Sequence, residues 1–247
     1  FNAGLIQADA GNTLTITVGG TSELMNTGSV LADGGTVRIL AGSSVIADGV
    51  APVRGFYEIA GGGTLETNAA CGSSTSGTIP YYQFEDSAGN TLKIDNIGSF
   101  NGVISGFTPG NTIDLGTTLA VSTVVYDSAG SFLYLENNTG TILASLITGG
   151  PYAAGTFAVT NGTADGFVLG TGADGDTILT TTATYFYSSG TSGTWGAATS
   201  WLNGAVPAAG GAVLIGLGAT APFTLTTGSS SVSVEAFSIF SAFATLD

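Results

Sequence analysis

Gly110-Asn111-Thr112-Ile113-Asp114-Leu115 is the last of five copies of one short phrase, and that phrase decides the fold. The earlier copies read Gly11-Asn12-Thr13-Leu14-Thr15-Ile16, Gly34-Gly35-Thr36-Val37-Arg38-Ile39, Gly62-Gly63-Thr64-Leu65-Glu66-Thr67 and Gly89-Asn90-Thr91-Leu92-Lys93-Ile94. Their threonines lie 23, 28, 27 and 21 residues apart. Spacing of that order belongs to stacked solenoid coils, in which each coil covers its neighbour's apolar face. Within each copy a turn pair precedes a short alternating strand.

Outward from the phrase, period-2 alternation continues along the chain, as in Ser44–Ala47, Gly55–Ile59, Val121–Tyr126, Phe132–Glu136 and Thr141–Leu146. No twelve-residue segment keeps a helical apolar period free of Gly or β-branched interruption. Clusters such as Glu136-Asn137-Asn138-Thr139-Gly140 and Thr171-Gly172-Ala173-Asp174-Gly175 separate the strands. The expected fold class is all-β: a parallel β-helix or β-solenoid over residues 1–182, with a smaller C-terminal β module over 183–247.

Composition bounds the function. Charged residues make up 8% of the 247 and apolar residues 43%, which excludes general disorder. The 40 glycines lack a collagen triplet and suit a fold of many tight turns. Three basic residues (Arg38, Arg54, Lys93) stand against 17 acidic ones, for a net charge of −14. Such a surface repels phosphate backbones and anionic lipid, so neither nucleic acid nor a membrane surface is an expected partner. The single cysteine, Cys71, allows no intrachain disulfide. The sequence starts at Phe1 with no signal-like segment, which suggests a processed or excised product.

From Ser99 the text reads Ser99-Phe100-Asn101-Gly102-Val103-Ile104-Ser105-Gly106-Phe107-Thr108-Pro109-Gly110-Asn111-Thr112, with strands at Phe132–Leu135, Gly140–Leu146 and Thr156–Val159 after it. Near the C-terminus stand Trp195 and Trp201, six residues apart, then Gly204-Ala205-Val206-Pro207. Both stretches resemble bacterial secreted β-strand-repeat surface proteins, the large adhesins and autotransporter-like passengers. The resemblance implies secretion, cell-surface display and a parallel β-helix-like stack, with no catalytic residues to carry over. The expected function is therefore an extracellular structural protein, a subunit or fragment of a surface fibre or adhesin assembled head to tail.

Two other classes compete. A carbohydrate-binding module would stack sugars on Trp195, Trp201, Tyr81 and Tyr82, although the tryptophans also suit a coil edge that needs covering. A polysaccharide-active β-helix enzyme needs convergent carboxylates or a base at the sugar. The chain has no histidine, and its three basic residues fall on separate coils, so no enzyme is expected. No cofactor is expected either, with calcium at Asp174 and Asp176 the one candidate, since Asp174-Gly175-Asp176 resembles a single calcium-binding repeat or an ordinary turn. Assembly is expected through the alternating C-terminal strand, with Val232, Val234, Phe237, Ile239 and Phe243 as its apolar set.

Overall fold

The computed structural model describes residues 1–19, 24–41, 55–69, 79–127, 132–149, 155–158, 163–164, 167–181, 184–186, 192–201, 206–207, 212–215, 221–228, 236–239 and 244–247. The expected strand at Ser44–Ala47, Arg54 and Cys71 lie outside these. Among the described residues helix is confined to the three-residue 3-10 turns Ile97–Ser99 and Ala198–Ser200. None is long and apolar enough to cross a membrane. The chain divides into two units, Phe1–Ala164 with Val168–Thr181, and Asp165–Phe167 with Thr182–Asp247.

Ten strands wind the solenoid of the first unit: β1 (Leu5–Asp9), β2 (Thr13–Val18), β3 (Ser29–Asp33), β4 (Thr36–Ala41), β5 (Phe56–Ala60), β6 (Thr64–Thr67), β7 (Tyr81–Phe84), β8 (Thr91–Ile94), β9 (Val103–Ser105) and β10 (Thr112–Asp114). Odd-numbered strands stack in parallel in one sheet and even-numbered strands in a second, so each consecutive pair makes one coil. Every copy of the phrase opens an even strand. Its first glycine, at positions 11, 34, 62, 89 and 110, has φ between 66° and 97°, a conformation that costs other L-residues about 1–2 kcal/mol.

Because the coils stack in register, equivalent positions form columns. Thr13, Thr36, Thr64, Thr91 and Thr112 pair in sequence along the even sheet. One residue on, Val37, Leu65, Leu92 and Ile113 are wholly buried. Facing inward from the odd sheet, Val30, Tyr57, Tyr82 and Ile104 are equally buried. Each such side chain contributes about 1.5–3 kcal/mol of burial, so the columns are what hold one coil on the next.

After β10 the parallel pattern expected through residue 182 gives way. In the odd sheet β13 (Ile142–Gly149) pairs in parallel with β9, but β12 (Phe132–Glu136) and β11 (Thr123–Asp127) then pair antiparallel, followed by β14 (Gly155–Ala158). The cause is local: residues 137–141 are too few for a crossover, and a parallel return needs about a dozen. In the even sheet β17 (Thr177–Thr181) lies antiparallel on β10, with β16 (Phe167–Thr171) and β15 (Thr163–Ala164) beyond it.

The second unit returns to parallel stacking. Strands β18 (Thr184–Phe186), β20 (Ala212–Ile215) and β22 (Ala236–Ile239) form one three-stranded sheet, and β19 (Gly193–Thr194), β21 (Phe223–Thr226) and β23 (Ala244–Leu246) the other. Its core gathers Trp195, Trp201, Val213, Ile215, Phe223 and Leu225.

Candidate functional site

The fifth position of the phrase points away from the core, and on stacked coils it forms a column of its own. Thr15, Arg38, Glu66, Lys93 and Asp114 pair consecutively across β2, β4, β6, β8 and β10. Parallel strands lie about 4.8 Å apart, so charges of alternating sign stand side by side. Arg38 donates from Nε to Glu66 Oε2 and from a terminal nitrogen to Oε1, both at 2.8 Å. Arg38 and Lys93 do lie on separate coils, with the coil that carries Glu66 between them.

Lys93 is the centre of the densest cluster. Its Nζ contacts Asp174 Oδ2, and it lies 3.5 Å from Asp114 Oδ2 and 3.4 Å from Asp176 Oδ2. Asp114 ends β10 and is buried, while Asp174 and Asp176 occupy the turn from β16 to β17. That turn closes through Gly172 N–H to Asp176 O at 2.8 Å, and Thr118 Oγ1 donates to Gly175 O at 2.8 Å. The hydrogen bond to Asp174 chiefly, helped by the charge of Asp114 and by Asp176, holds the Lys93 ammonium well above the usual lysine range. Lys93 in turn keeps the Asp174 carboxyl below its ordinary value.

Asp174 and Asp176 are thus brought together, and Asp114 joins them; one oxygen from each lies within 4.8 Å of the others. Calcium takes six to eight oxygens, and here an ammonium stands among the three carboxylates. The arrangement suits Lys93 as the counter-ion better than a divalent metal, which the same ammonium would repel. Just beyond β8, Asp95 is exposed at the surface, yet partial desolvation of its carboxyl foremost, and then the charge of Glu66, raise it above its usual range.

The sugar-stacking set does not assemble. Trp195 and Trp201 are only 6% and 3% exposed, their rings 5.0 Å apart in an edge-to-face pair, and Trp201 Nε1–H donates to Trp195 O at 2.9 Å. A sugar needs an open ring face, so the alternative of a sugar platform at Trp195 and Trp201 is corrected to core packing. Tyr82 is likewise enclosed, stacked on Tyr57 at 5.2 Å with Phe100 tilted against it at 5.1 Å. Tyr81, its neighbour on β7, faces outward and is half-buried.

Of the expected assembly residues, Val232, Val234 and Phe243 lie outside the described residues. Phe237 and Ile239 belong to β22, in register with Val213 and Ile215 of β20. That strand is paired within its own chain, and its second edge is what a donor strand would use. No protein-family model, curated protein or solved structure matches the chain.

Proposed function

We propose that the chain is a non-enzymatic structural part of an extracellular bacterial fibre or adhesin, a stiff solenoid segment that associates head to tail. The observation that carries this reading is the column Arg38, Glu66, Lys93 and Asp114: Arg38 bridges to Glu66 and Lys93 to Asp114, and each bridge ties two adjacent coils together. Carboxylates committed to Lys93 are poor candidates for proton transfer, because each already has its partner. The fully buried columns beneath add resistance to shear between coils.

Head-to-tail growth would use open strand edges. Among the described strands, β1 pairs with β3 alone and β2 with β4 alone, and Leu5 on β1 is 60% exposed. Antibody labelling of intact and permeabilised source cells tests the location, with signal on intact cells expected. Electron microscopy of the purified chain tests assembly: filaments should form, and deletion of residues 231–247 should abolish them while the β signal of the remainder persists. Labelling only after permeabilisation, or a strictly monomeric protein, would overturn the reading.

A second reading, a carbohydrate-binding surface module, keeps one of its four expected residues, the outward-facing Tyr81.

A further inference from the structure

The outer face of the odd sheet carries a ribbon that the phrase does not reveal. Ser29, Phe56, Tyr81, Val103, Ile147 and Phe132 pair consecutively across β3, β5, β7, β9, β13 and β12. Phe56 is 40% exposed and the other five are half-buried. Tyr134 stacks beside Phe132, with ring centres 5.6 Å apart and planes 14° from parallel. At that end the ribbon meets a groove of about 240 Å³ whose lining includes Phe132, Ile147, Ile142, Asn101 and Ser145. Apolar and aromatic groups at the surface of five neighbouring strands, one exposed and four half-buried, form a continuous ribbon rather than scattered surface residues.

The charge on this face has one sign. Two residues along from Phe56 lies Glu58, and Glu85 is close enough for the Glu58 charge to act on it. Asp9 and Asp33 form a second like-charged pair in register, bridged by Gln7 Nε2 at 2.6 Å and 3.3 Å. The described basic residues, Arg38 and Lys93, both stand on the even sheet and are engaged there. An anionic ligand is therefore repelled and a cationic one attracted.

We infer that this face binds an extended, amine-bearing polysaccharide lying across the strands. Sugar rings would stack on Phe56, Tyr81 and Phe132, while ammonium groups meet Glu58 and Glu85. The periodicity favours a glycan over a basic peptide: strands repeat at about 4.8 Å, close to the length of one pyranose unit, and every coil presents its side chain at the same height. The inference rests on the carbohydrate-binding reading and is independent of head-to-tail assembly.

Calorimetric titration of the full chain with a glucosamine hexamer at pH 5.5, where the sugar amines are protonated, is the test. The hexamer should bind, and its N-acetylated counterpart at least about tenfold more weakly. Phe56→Ala and Tyr81→Ala should each weaken binding about tenfold, Tyr81→Phe should preserve it, and Glu58→Gln should weaken it and flatten its salt dependence. Thr15→Ala, on the even sheet, should leave it unchanged. Circular dichroism of each variant distinguishes lost binding from lost fold. Absence of hexamer binding overturns the inference. So does hexalysine binding as tightly and surviving Phe56→Ala, which would reveal a generic acidic surface. Either result leaves filament assembly, read separately by microscopy, untouched.

Discussion

Arg38 grips Glu66 across two adjacent coils through a pair of parallel 2.8 Å hydrogen bonds. The fork geometry fits a carboxylate, and an ammonium cannot reproduce it. Arg38→Lys should therefore lower the melting temperature slightly, and Arg38→Ala slightly more. Because the arginine is 42% exposed, both losses should shrink in 1 M salt. Thermal melts at two ionic strengths check this.

Lys93→Met should cost more, about 3–6 °C in melting temperature, since it leaves Asp114, Asp174 and Asp176 facing one another without a cation. Chelator, in contrast, should leave the melting temperature of the unaltered chain where it is. A metal linked to folding would shift it by its binding free energy. A large chelator effect would show that the lysine is not the counter-ion.

Leu65→Ala, in a wholly buried column, should cost about 2–5 kcal/mol. Gly89→Ala tests a different link. The added methyl meets nothing within 4 Å, so its cost, about 1–2 kcal/mol, comes from the backbone at φ 86°. Gly89→Asn should cost less, as asparagine tolerates that conformation. Denaturant titrations of the three variants would separate packing from backbone strain.

Trp201→Phe removes the hydrogen bond to Trp195 O and should cost about 1 kcal/mol beyond the lost ring area. With both indoles buried, tryptophan emission should stay at short wavelength and should not respond to added oligosaccharide, even one that binds through Phe56 and Tyr81. A saccharide-dependent change in that emission would return the tryptophans to the list of ligand contacts.

Asp95 tests the sign of a pH dependence. A carboxyl raised by partial desolvation and a neighbouring negative charge favours the folded state below its unfolded value, and that contribution is lost as pH rises through the folded value. Asp95→Asn removes the penalty, so its melting temperature should exceed that of the parent at pH 7. The gap should close by about pH 3, where the parent is protonated in both states. An equal offset at both values would assign the effect to packing.

Five threonines at intervals of 21 to 28 residues were enough to read the coils, because a solenoid's period is written directly in its turns. The cluster at Lys93 was not legible in the same way. Asp114 and Asp174 are sixty residues apart, and only the antiparallel return of β17 onto β10 brings them together. Part of the signal was nevertheless present: once the phrases are aligned, their fifth residues read Thr15, Arg38, Glu66, Lys93 and Asp114, and stacking follows. The antiparallel segment also had a local sign in the short turn Asn137-Asn138-Thr139-Gly140, where Gly140 has φ 76°. The spacing of Trp195 and Trp201 could not tell an open platform from a core, because either role uses the same two side chains.

The change of strand direction beyond β9 and β10 also bears on how such a chain can vary. Upstream of it, each coil offers its neighbour the same threonine and aliphatic columns, while the outward charges alternate from Arg38 to Glu66, Lys93 and Asp114, so the unit that repeats is a pair of coils. Gain or loss of such a pair there would keep opposite charges adjacent, leave the later pairings intact and alter only the reach of the stack. Downstream, β17 and β13 each match one specific strand, so an insertion of the same size would break the match. Length is therefore free to drift on one side of the switch and held fixed on the other, as in a ruler with a single immovable stop.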